Sequence, residues 1–188
     1  MKTTFRLVRQ DGLVVDADLL PLSSDHLSQF ERIWKRMLQP SSEHDSHWDW
    51  VRKHRKVSNL PNYEAYALEC DQMTEGLMFL ECDFHHSRLE PDKNLVYVDF
   101  IATAPWNRPS IQAPPEYRGV GTALFTFAVQ RSFELEYKGR VGLHSLPSAE
   151  KFYNTLKMID FGSDDNYENL KYFELSTDEA MKIAERFG

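Results

Sequence analysis

A pair of glycines at the start of a predicted helix constrains this chain more than any other feature. Residues 115–124 read Pro-Glu-Tyr-Arg-Gly-Val-Gly-Thr-Ala-Leu. A strand-like apolar run, residues 95–102, precedes them across a proline-rich loop, and a helical apolar run, residues 124–133, follows them. Backbone N–H groups at such a helix start can point at an anion, because the helix dipole places about half a positive charge there. Arg118 adds a full positive charge. The segment therefore predicts a site for a phosphate or pyrophosphate group.

The composition predicts one globular domain over residues 1–188. The chain has 188 residues, of which 41% are hydrophobic and 13% are aromatic. A chain of this length buries roughly 70% of the surface that it exposes when unfolded. Its formal net charge is -7, and a strongly acidic chain is a poor general nucleic-acid binder, because phosphate contacts need clustered Lys and Arg. The basic run at residues 52–56 is interpreted as a solvated helix end.

The sequence predicts neither a membrane span nor a secretion signal. It contains no apolar run of about 18 residues, and its first residues lack the apolar core of a signal peptide. Cys70 and Cys82 fall on a predicted hairpin that keeps the two thiols apart, so we expect no disulfide between them. Reduced thiols are typical of a cytoplasmic protein.

The order of the predicted elements gives an α/β layout with a mixed sheet. A first strand or hairpin is followed by a helix capped by Ser24 and by a second helix that runs from its cap at Ser46 to about Lys56. A short helix capped by Ser148 comes later, and Ser176 opens a C-terminal helix with a capping box. The predicted strands are residues 5–9, 14–19, 64–70, 76–82, 95–104, 140–146 and 170–175.

Two common nucleotide motifs do not fit the glycines. A Walker loop needs a Lys directly after its last glycine, and none follows Gly121. A Rossmann fingerprint needs a third glycine where Leu124 stands. It also needs an acidic residue at the end of the next strand, and residues 140–146 have none there.

The pattern Arg-x-x-Gly-x-Ala, at Arg118, Gly121 and Ala123, follows a Glu-Tyr pair and resembles the pyrophosphate loop of the GNAT N-acetyltransferase superfamily. Residues 96–103 resemble the central strand of that family, and residues 148–153 resemble its later helix ending in Phe-Tyr. The resemblance covers residues 5–175. It implies an α/β fold with a mixed, mostly antiparallel sheet, whose central parallel strands splay apart and are flanked by helices.

The resemblance also implies that acetyl-CoA binds between the two splayed strands, residues 95–104 and 140–146. The backbone of Ile101, Ala102 and Thr103 would then pair with the pantetheine arm. We call residues 118–123 the glycine loop. The resemblance assigns the pyrophosphate to the backbone N–H groups of this loop, which consists of Arg118, Gly119, Val120, Gly121, Thr122 and Ala123.

Tyr153 matches the position of the family's usual general acid. When an amine attacks the thioester, a thiolate leaves, and a phenol within hydrogen-bond reach can protonate it. Tyr153 can also be interpreted as an aromatic residue that only packs. The proton acceptor stays open among Asp99, Glu81 and His144. Asp99 lies on an otherwise apolar strand, where an uncompensated charge costs several kcal/mol. Asp99 can equally be a structural carboxylate, and a lone His such as His144 is more often structural.

The resemblance assigns the acceptor pocket to the first helical pair, and Trp48, Glu81 and Trp106 are predicted to bind the substrate. An aromatic and acidic wall at residues 44–50 suits a cationic amine. The alternative is an ordinary helix start, capped by Ser46, with Trp48 buried. We expect no metal site, because the histidines lack a Cys or carboxylate at a supporting spacing.

The chain departs from the family pattern before and after the glycine loop. We call residues 104–115 the insertion. They make the connection to the glycine loop about ten residues longer than is usual in the family. They predict a flap on which Trp106 is exposed. Leu146 stands where the family often has an Asn that contacts CoA.

The sequence thus predicts an N-acetyltransferase that transfers an acetyl group from acetyl-CoA to a primary amine by direct attack. The acceptor is a small molecule or a peptide, and the sequence specifies neither it nor the length of the acyl chain. The alternative is a catalytically silent module of the same fold, which binds CoA or a partner protein. A homodimer through the Trp106 flap and the C-terminal helix is a further hypothesis.

Overall fold

The computed structural model describes residues 2–187, and its contacts divide the chain into two compact units. The first unit comprises Met1–Phe79 and Phe100–Leu124, and the second comprises Leu80–Asp99 and Phe125–Gly188. The single domain predicted over residues 1–188 stays a prediction.

The described strands form a mixed sheet in the order β6-β1-β2-β3-β4-β5-β7-β9-β8. Neighbouring strands are mostly antiparallel, and the central pair β5–β7 is parallel. That pairing joins Val96 to Val141 and Tyr97 to Gly142, while β5 continues to Thr103 and β7 to Ser145. The predicted α/β fold with a mixed, mostly antiparallel sheet is confirmed. The strands are β1 Thr3–Arg9, β2 Val14–Pro21, β3 Tyr63–Cys70, β4 Met73–Glu81, β5 Val96–Thr103, β6 Tyr117–Arg118, β7 Val141–Ser145, β8 Ile159–Asp164 and β9 Leu170–Leu175.

The helices of the first unit pack their aromatic residues into one core. Helix α1 (Ser24–Gln29) continues through a π-helical turn (Phe30–Trp34) into α2 (Lys35–Leu38), and α3 spans Trp50–Val57. The π turn contributes the buried ring of Trp34 to this core, and α3 contributes that of Trp50. The core cluster also contains Phe30, Leu38, Ala67, Leu77, Phe79, Ala102, Ala104 and Trp106.

Two helix starts differ from the prediction. Helix α1 is capped by Ser23 rather than Ser24, because the Ser23 hydroxyl accepts a bond from the N–H of His26. Helix α3 is capped by Asp49 rather than Ser46, because the Asp49 carboxylate accepts a 2.8 Å bond from the N–H of Arg52. Residues 44–47 form turns instead. At these two starts, the residue whose side chain makes the cap bond, and not the predicted Ser, is where the helix begins.

The second unit contains the last third of the chain. Helix α4 (Val120–Glu134) enters it, and α5 (Glu150–Thr155) and α6 (Thr177–Phe187) follow. A 3₁₀ turn with Pro147 at its start leads into α5, so the predicted Ser148 cap is wrong: Ala149 holds that position and makes no side-chain cap bond. The capping role of Ser176 is confirmed, since its hydroxyl accepts from the N–H of Glu179.

The sequence analysis missed β8. Its residues, Ile-Asp-Phe-Gly-Ser-Asp, are mostly exposed and polar, so no buried face produces a strand-like alternation. The strand pairs with β9 at the edge of the sheet through a register shift between Asp160 and Ser163. Among the described residues, no helix has both the length and the apolar character needed to cross a membrane.

The insertion is folded down rather than exposed, and the prediction of an exposed Trp106 is wrong. Trp106 is 7% exposed, and its indole N–H donates a 2.7 Å bond to the carboxylate of Glu75. The Asn107 amide donates a 2.6 Å bond to the same carboxylate. The flap on which the homodimer hypothesis relied is therefore part of the core of the first unit.

A second buried cluster holds the insertion through Arg108. Its guanidinium donates paired bonds of 2.6 and 2.8 Å to Asp45 and one of 3.0 Å to Glu43. It also donates bonds of 3.0 and 2.8 Å to the carbonyl of Thr103. Burial alone would lower the pKa of this guanidinium, but the carboxylates outweigh that effect, so the net pKa is raised and Arg108 stays charged. Paired and hydrogen-bonded in this way, the buried charge is satisfied.

We predict that Glu75→Gln changes the pH dependence of stability. Burial raises the pKa of Glu75 to about 7, although the bonds from Asn107 and Trp106 oppose the shift. Between pH 4.5 and 7, the folded protein therefore holds a proton at Glu75 that the unfolded chain has released. The contribution of this carboxyl to the free energy of unfolding falls as pH rises through that range. Relative to wild type, Glu75→Gln should gain up to about 3 kcal/mol of unfolding free energy across that range, measured by urea unfolding.

Glu185→Gln is the matched control, because Glu185 is exposed on α6. The difference between this variant and wild type should not vary with pH. A constant difference between Glu75→Gln and wild type from pH 4.5 to 8 would contradict a raised pKa at Glu75.

Candidate active site

The glycine loop in the first unit joins an edge strand to a helix start. Strand β6 pairs with β1 through Arg118–Val8 and Tyr117–Arg9, which fixes the chain just before the turn. Gly119 then has a φ of +98°, and α4 begins at Val120. A Cβ on Gly119 would meet nothing closer than 3.7 Å. The turn therefore needs glycine for its backbone conformation rather than for space.

The first turn of α4 exposes backbone donors. The N–H of Ala123 already donates to the carbonyl of Gly119 at 2.8 Å. In a helix, the N–H groups that come before this first bond have no intrahelical acceptor. These are the N–H groups of Val120, Gly121 and Thr122. Arg118 is exposed beside them. The loop therefore offers three donors, a helix dipole and a mobile cation to an anion.

Gly76 is a residue of this site that the sequence analysis missed. It lies on β4, and a Cβ built there would be 2.7 Å from Leu124 Cδ1 and 3.1 Å from Val120 Cγ1. The absence of a side chain therefore lets the first turn of α4 pack directly on β4. A glycine inside an apolar strand is the sequence signal for such a close approach.

The end of β5 supplies the backbone predicted to pair with pantetheine. Ala102 is buried in the core of the first unit, whereas Ile101 and Thr103 on the other face are half-buried. The carbonyl of Thr103 accepts from two nitrogens of Arg108, so both of its lone pairs are occupied. Because β5 is also hydrogen-bonded to β4, a ligand would pair with the backbone groups on the other edge of this segment.

Tyr153 lies on α5 in the second unit, 4% exposed. Its ring packs against Phe125, Phe152 and Phe173 at centroid distances of 6.2, 5.2 and 5.9 Å. Burial raises the pKa of its phenol well above the usual range. Within residues 2–187, the structure gives its hydroxyl no hydrogen-bond partner. The phenol of Tyr153 therefore stays protonated, and its proton is available for donation.

His144 is held by two hydrogen bonds in the second unit. Tyr97 donates its hydroxyl to Nδ1 at 2.8 Å, and Nε2 lies 3.3 Å from Asp164. Burial raises the pKa of Tyr97 well above its usual range, so its phenol stays protonated. The ionised Asp164 accepts from Nε2, and Nδ1 of the neutral ring is therefore the acceptor of the Tyr97 hydroxyl. Burial lowers the pKa of His144, although Asp164 opposes the shift, so the ring is neutral at pH 7. Tyr167 stacks on its face at 3.7 Å.

Asp164 is kept ionised by its own neighbours. A bond from the guanidinium of Arg88 is the main reason that the pKa of Asp164 falls to about 2, and the N–H of Asn166 adds to the effect. The guanidinium also lies 4.1 Å from the centre of the Tyr172 ring. Both ring nitrogens of His144 are hydrogen-bonded, so its contacts are those of a residue that positions Tyr97. The sequence analysis missed Tyr97 and Asp164, because a Tyr on a strand and an Asp on an exposed strand carry no distinctive pattern.

Glu81, a predicted acid–base and acceptor residue, binds His85. The Nε2 atom of His85 lies 2.8 Å from the Glu81 carboxylate, and its ring stacks on Tyr97 at 4.0 Å. Glu81 and His144 therefore lie on either side of Tyr97 in one polar cluster. Asp99 follows two residues later on β5 and is half-buried. Its charge contributes to the raised pKa of Tyr97.

The two tryptophans predicted to bind the acceptor have different surroundings in the first unit. Trp48 is half-buried, and its ring meets the ring of Phe100 edge to face at 5.0 Å. Trp106 is buried and bound to Glu75. The predicted contacts of Trp48 and Trp106 with a substrate stay predictions. Among the described residues, no group of three or more His, Cys, Asp or Glu side chains is placed to hold a metal ion.

Comparison with known proteins identifies the fold through structure rather than sequence. No family model matches the chain, and no curated protein matches its sequence. The N-acyl amino acid synthase FeeM, from uncultured soil microbes, superimposes with a TM-score of 0.58 at 13% identity over 88% of this chain and 92% of FeeM.

Two further solved structures agree. A mutant of the AtaT toxin, bound to the C-terminus of the antitoxin AtaR, has a TM-score of 0.56 at 18% identity, over 90% of this chain and 98% of AtaT. The aminoglycoside N-acetyltransferase AAC(6')-Iy in complex with CoA has a TM-score of 0.51 at 15% identity, over 75% of this chain and 84% of that chain. At these identities the likeness shows the fold. The chain therefore has the fold of the GNAT acetyltransferases.

Proposed function

We propose that this protein is an acyltransferase that transfers an acetyl group from acetyl-CoA to a primary amine. The observation that carries the proposal is the start of α4, where Gly119 at φ +98° presents the N–H groups of Val120, Gly121 and Thr122. The resemblance of the glycine loop to a pyrophosphate loop supports it. The solved structures of the same fold that are named as acetyltransferases, one of them with CoA, support it further.

On the donor side, the glycine loop would bind the pyrophosphate of CoA. Hydrogen bonds to a charged group are worth about 1.5–3 kcal/mol each, and the loop supplies three backbone donors whose orientation is fixed by the helix. Arg118 adds a cation that is free to move, because its side chain is exposed. The backbone of Ile101, Ala102 and Thr103 would pair with the pantetheine arm.

On the chemical side, the amine nitrogen forms a bond to the thioester carbon as the carbon–sulfur bond breaks. The departing thiolate of CoA needs a proton. Tyr153 is suited to donate it, because its phenol stays protonated and has no partner among the described residues. Glu81 and His85 form a carboxylate–imidazole pair suited to accept the proton that the amine loses.

We predict that Gly121→Val abolishes CoA binding without unfolding the protein. Valine is at least as favourable as glycine inside a helix, but its side chain blocks the close approach of a phosphate to the loop. With CoA at about 100 times its dissociation constant, wild type should gain about 5–10 °C in melting temperature, and Gly121→Val should gain none.

Gln130→Val is the matched control for this variant. It changes a residue to Val on the same helix, about two turns beyond the end of the glycine loop. It should keep the full CoA shift. An unchanged CoA shift in Gly121→Val would contradict the assignment of the loop.

We predict that Tyr153→Phe lowers kcat by about 10²–10⁴-fold and leaves the dissociation constant of CoA unchanged. The hydroxyl has no partner within residues 2–187, so its removal leaves no buried group unpaired and the melting temperature should hold. Release of free CoA thiol with an amine panel measures kcat, and calorimetry measures CoA binding.

Tyr66→Phe is the control, because Tyr66 lies on β3 and donates to Glu64. It should keep wild-type turnover. Equal kcat in Tyr153→Phe and wild type would exclude Tyr153 as the acid. CoA binding without thiol release from any amine in the wild type would instead favour the silent CoA-binding module.

A further inference from the structure

The first unit contains a cluster of aromatic rings that extends to the surface through Trp48 and Phe100. The ring of Trp50 packs against Phe79 at 4.9 Å, and both lie in the buried core. Trp48 and Phe100 are half-buried and meet at 5.0 Å with an angle of 86° between their planes. We call Trp48 and Phe100 the ring pair. It is the part of the cluster that a molecule from solvent can reach.

A cation of the protein itself already occupies the ring pair. The ammonium nitrogen of Lys53 lies 3.2 Å from the centre of the Phe100 ring and 5.0 Å from that of Trp48. Both distances are within the range of about 6 Å for a cation–π interaction. Lys53 is half-buried, whereas Arg52, Arg55 and Lys56 on the same helix are exposed. Lys53 is thus the Lys or Arg of α3 that lies against the aromatic cluster, next to His54, whose ring is 6.2 Å from that of Phe79.

The place of Phe100 in the sequence connects the ring pair to the proposed chemistry. Phe100 directly precedes Ile101 on β5, at the start of the backbone predicted to pair with pantetheine. Successive side chains on a strand point to opposite faces. Phe100 and Ala102 accordingly lie on the face that α1 to α3 cover, and both join the core of the first unit.

We propose that the ring pair is a binding site for a primary alkylammonium ion, and that Lys53 fills it when no substrate is bound. The acceptor is then an amine on an unbranched aliphatic chain, as in a lysine side chain, which displaces Lys53. This inference rests on the proposed function for the fate of the bound amine, but the binding itself does not depend on acyl transfer.

The test measures binding of n-butylammonium, which reproduces the end of a lysine side chain, to the full chain without acetyl-CoA. Lys53→Met keeps an unbranched apolar stem of similar length and removes the charge. Calorimetry should show that this variant binds n-butylammonium about tenfold more tightly than wild type, because no ammonium of the protein then competes for the two rings. With acetyl-CoA, its KM for n-butylamine should fall by a similar factor while kcat changes little.

Three controls make the result specific. Lys56→Met removes an exposed charge from the same helix and should bind n-butylammonium as wild type does. The neutral isostere 1-butanol should not bind Lys53→Met more tightly than wild type. Adding Phe100→Leu to Lys53→Met should remove the gain while the melting-temperature shift with CoA is kept.

Equal affinity of wild type and Lys53→Met for n-butylammonium, or an equal gain for 1-butanol, would overturn the inference. If this occurs while wild type still binds CoA and releases its thiol with amines, only the ammonium site is wrong. If Lys53→Met gains affinity but no variant binds CoA, the ammonium site stands and the proposed acyl transfer fails.

Discussion

The buried carboxylate of Glu75 holds together the segments that form the candidate cofactor site in the first unit. It accepts bonds from the side chains of Trp106 and Asn107. The carbonyl oxygen of the Asn107 side chain in turn accepts a 2.8 Å bond from the N–H of Tyr117, the first residue of β6. A continuous chain of hydrogen bonds thus runs from β4 through the insertion to the strand that enters the glycine loop.

The residue next to Glu75 acts on the other side of the same loop. Gly76 lets the first turn of α4 pack closely on β4, since a Cβ there would lie 2.7 Å from Leu124 Cδ1 and 3.1 Å from Val120 Cγ1. One short stretch of β4 therefore sets the positions of both the strand before Gly119 and the helix after it. Because Glu75 has a pKa of about 7, the charge at the centre of this arrangement changes near neutral pH.

Much of the fold could be predicted from sequence where local pattern and tertiary structure agree. The hairpin of β1 and β2, strand β9 and the glycine turn before α4 all follow from apolar runs interrupted by glycine or polar residues. Ser46 and Ser148 look like helix caps in sequence, but Asp49 supplies the cap in one case and a proline-led 3₁₀ turn starts the helix in the other. Strand β8 has no apolar face, so only its pairing with β9 defines it.

In the candidate site, too, some residues could be predicted from the sequence and others could not. The glycine loop is a local motif and was found from sequence. The burial of Trp106 depends on Glu75, which is distant in sequence, and the bonds of His144 depend on Tyr97 and Asp164. No periodicity encodes such contacts, because each joins residues from separate strands or loops. For the same reason, the contact of Lys53 with the ring pair could not be predicted from the basic run that contains it.

The central claim is that the backbone at the start of α4 binds the pyrophosphate of CoA. Titration of ¹⁵N-labelled protein with CoA, followed by amide NMR, tests it most directly. If the loop binds the pyrophosphate, the amide signals of Val120, Gly121 and Thr122 shift with CoA and do not shift with pantetheine, which lacks the pyrophosphate. Unchanged signals at these residues, with shifts confined to the basic run at residues 52–56, would contradict it.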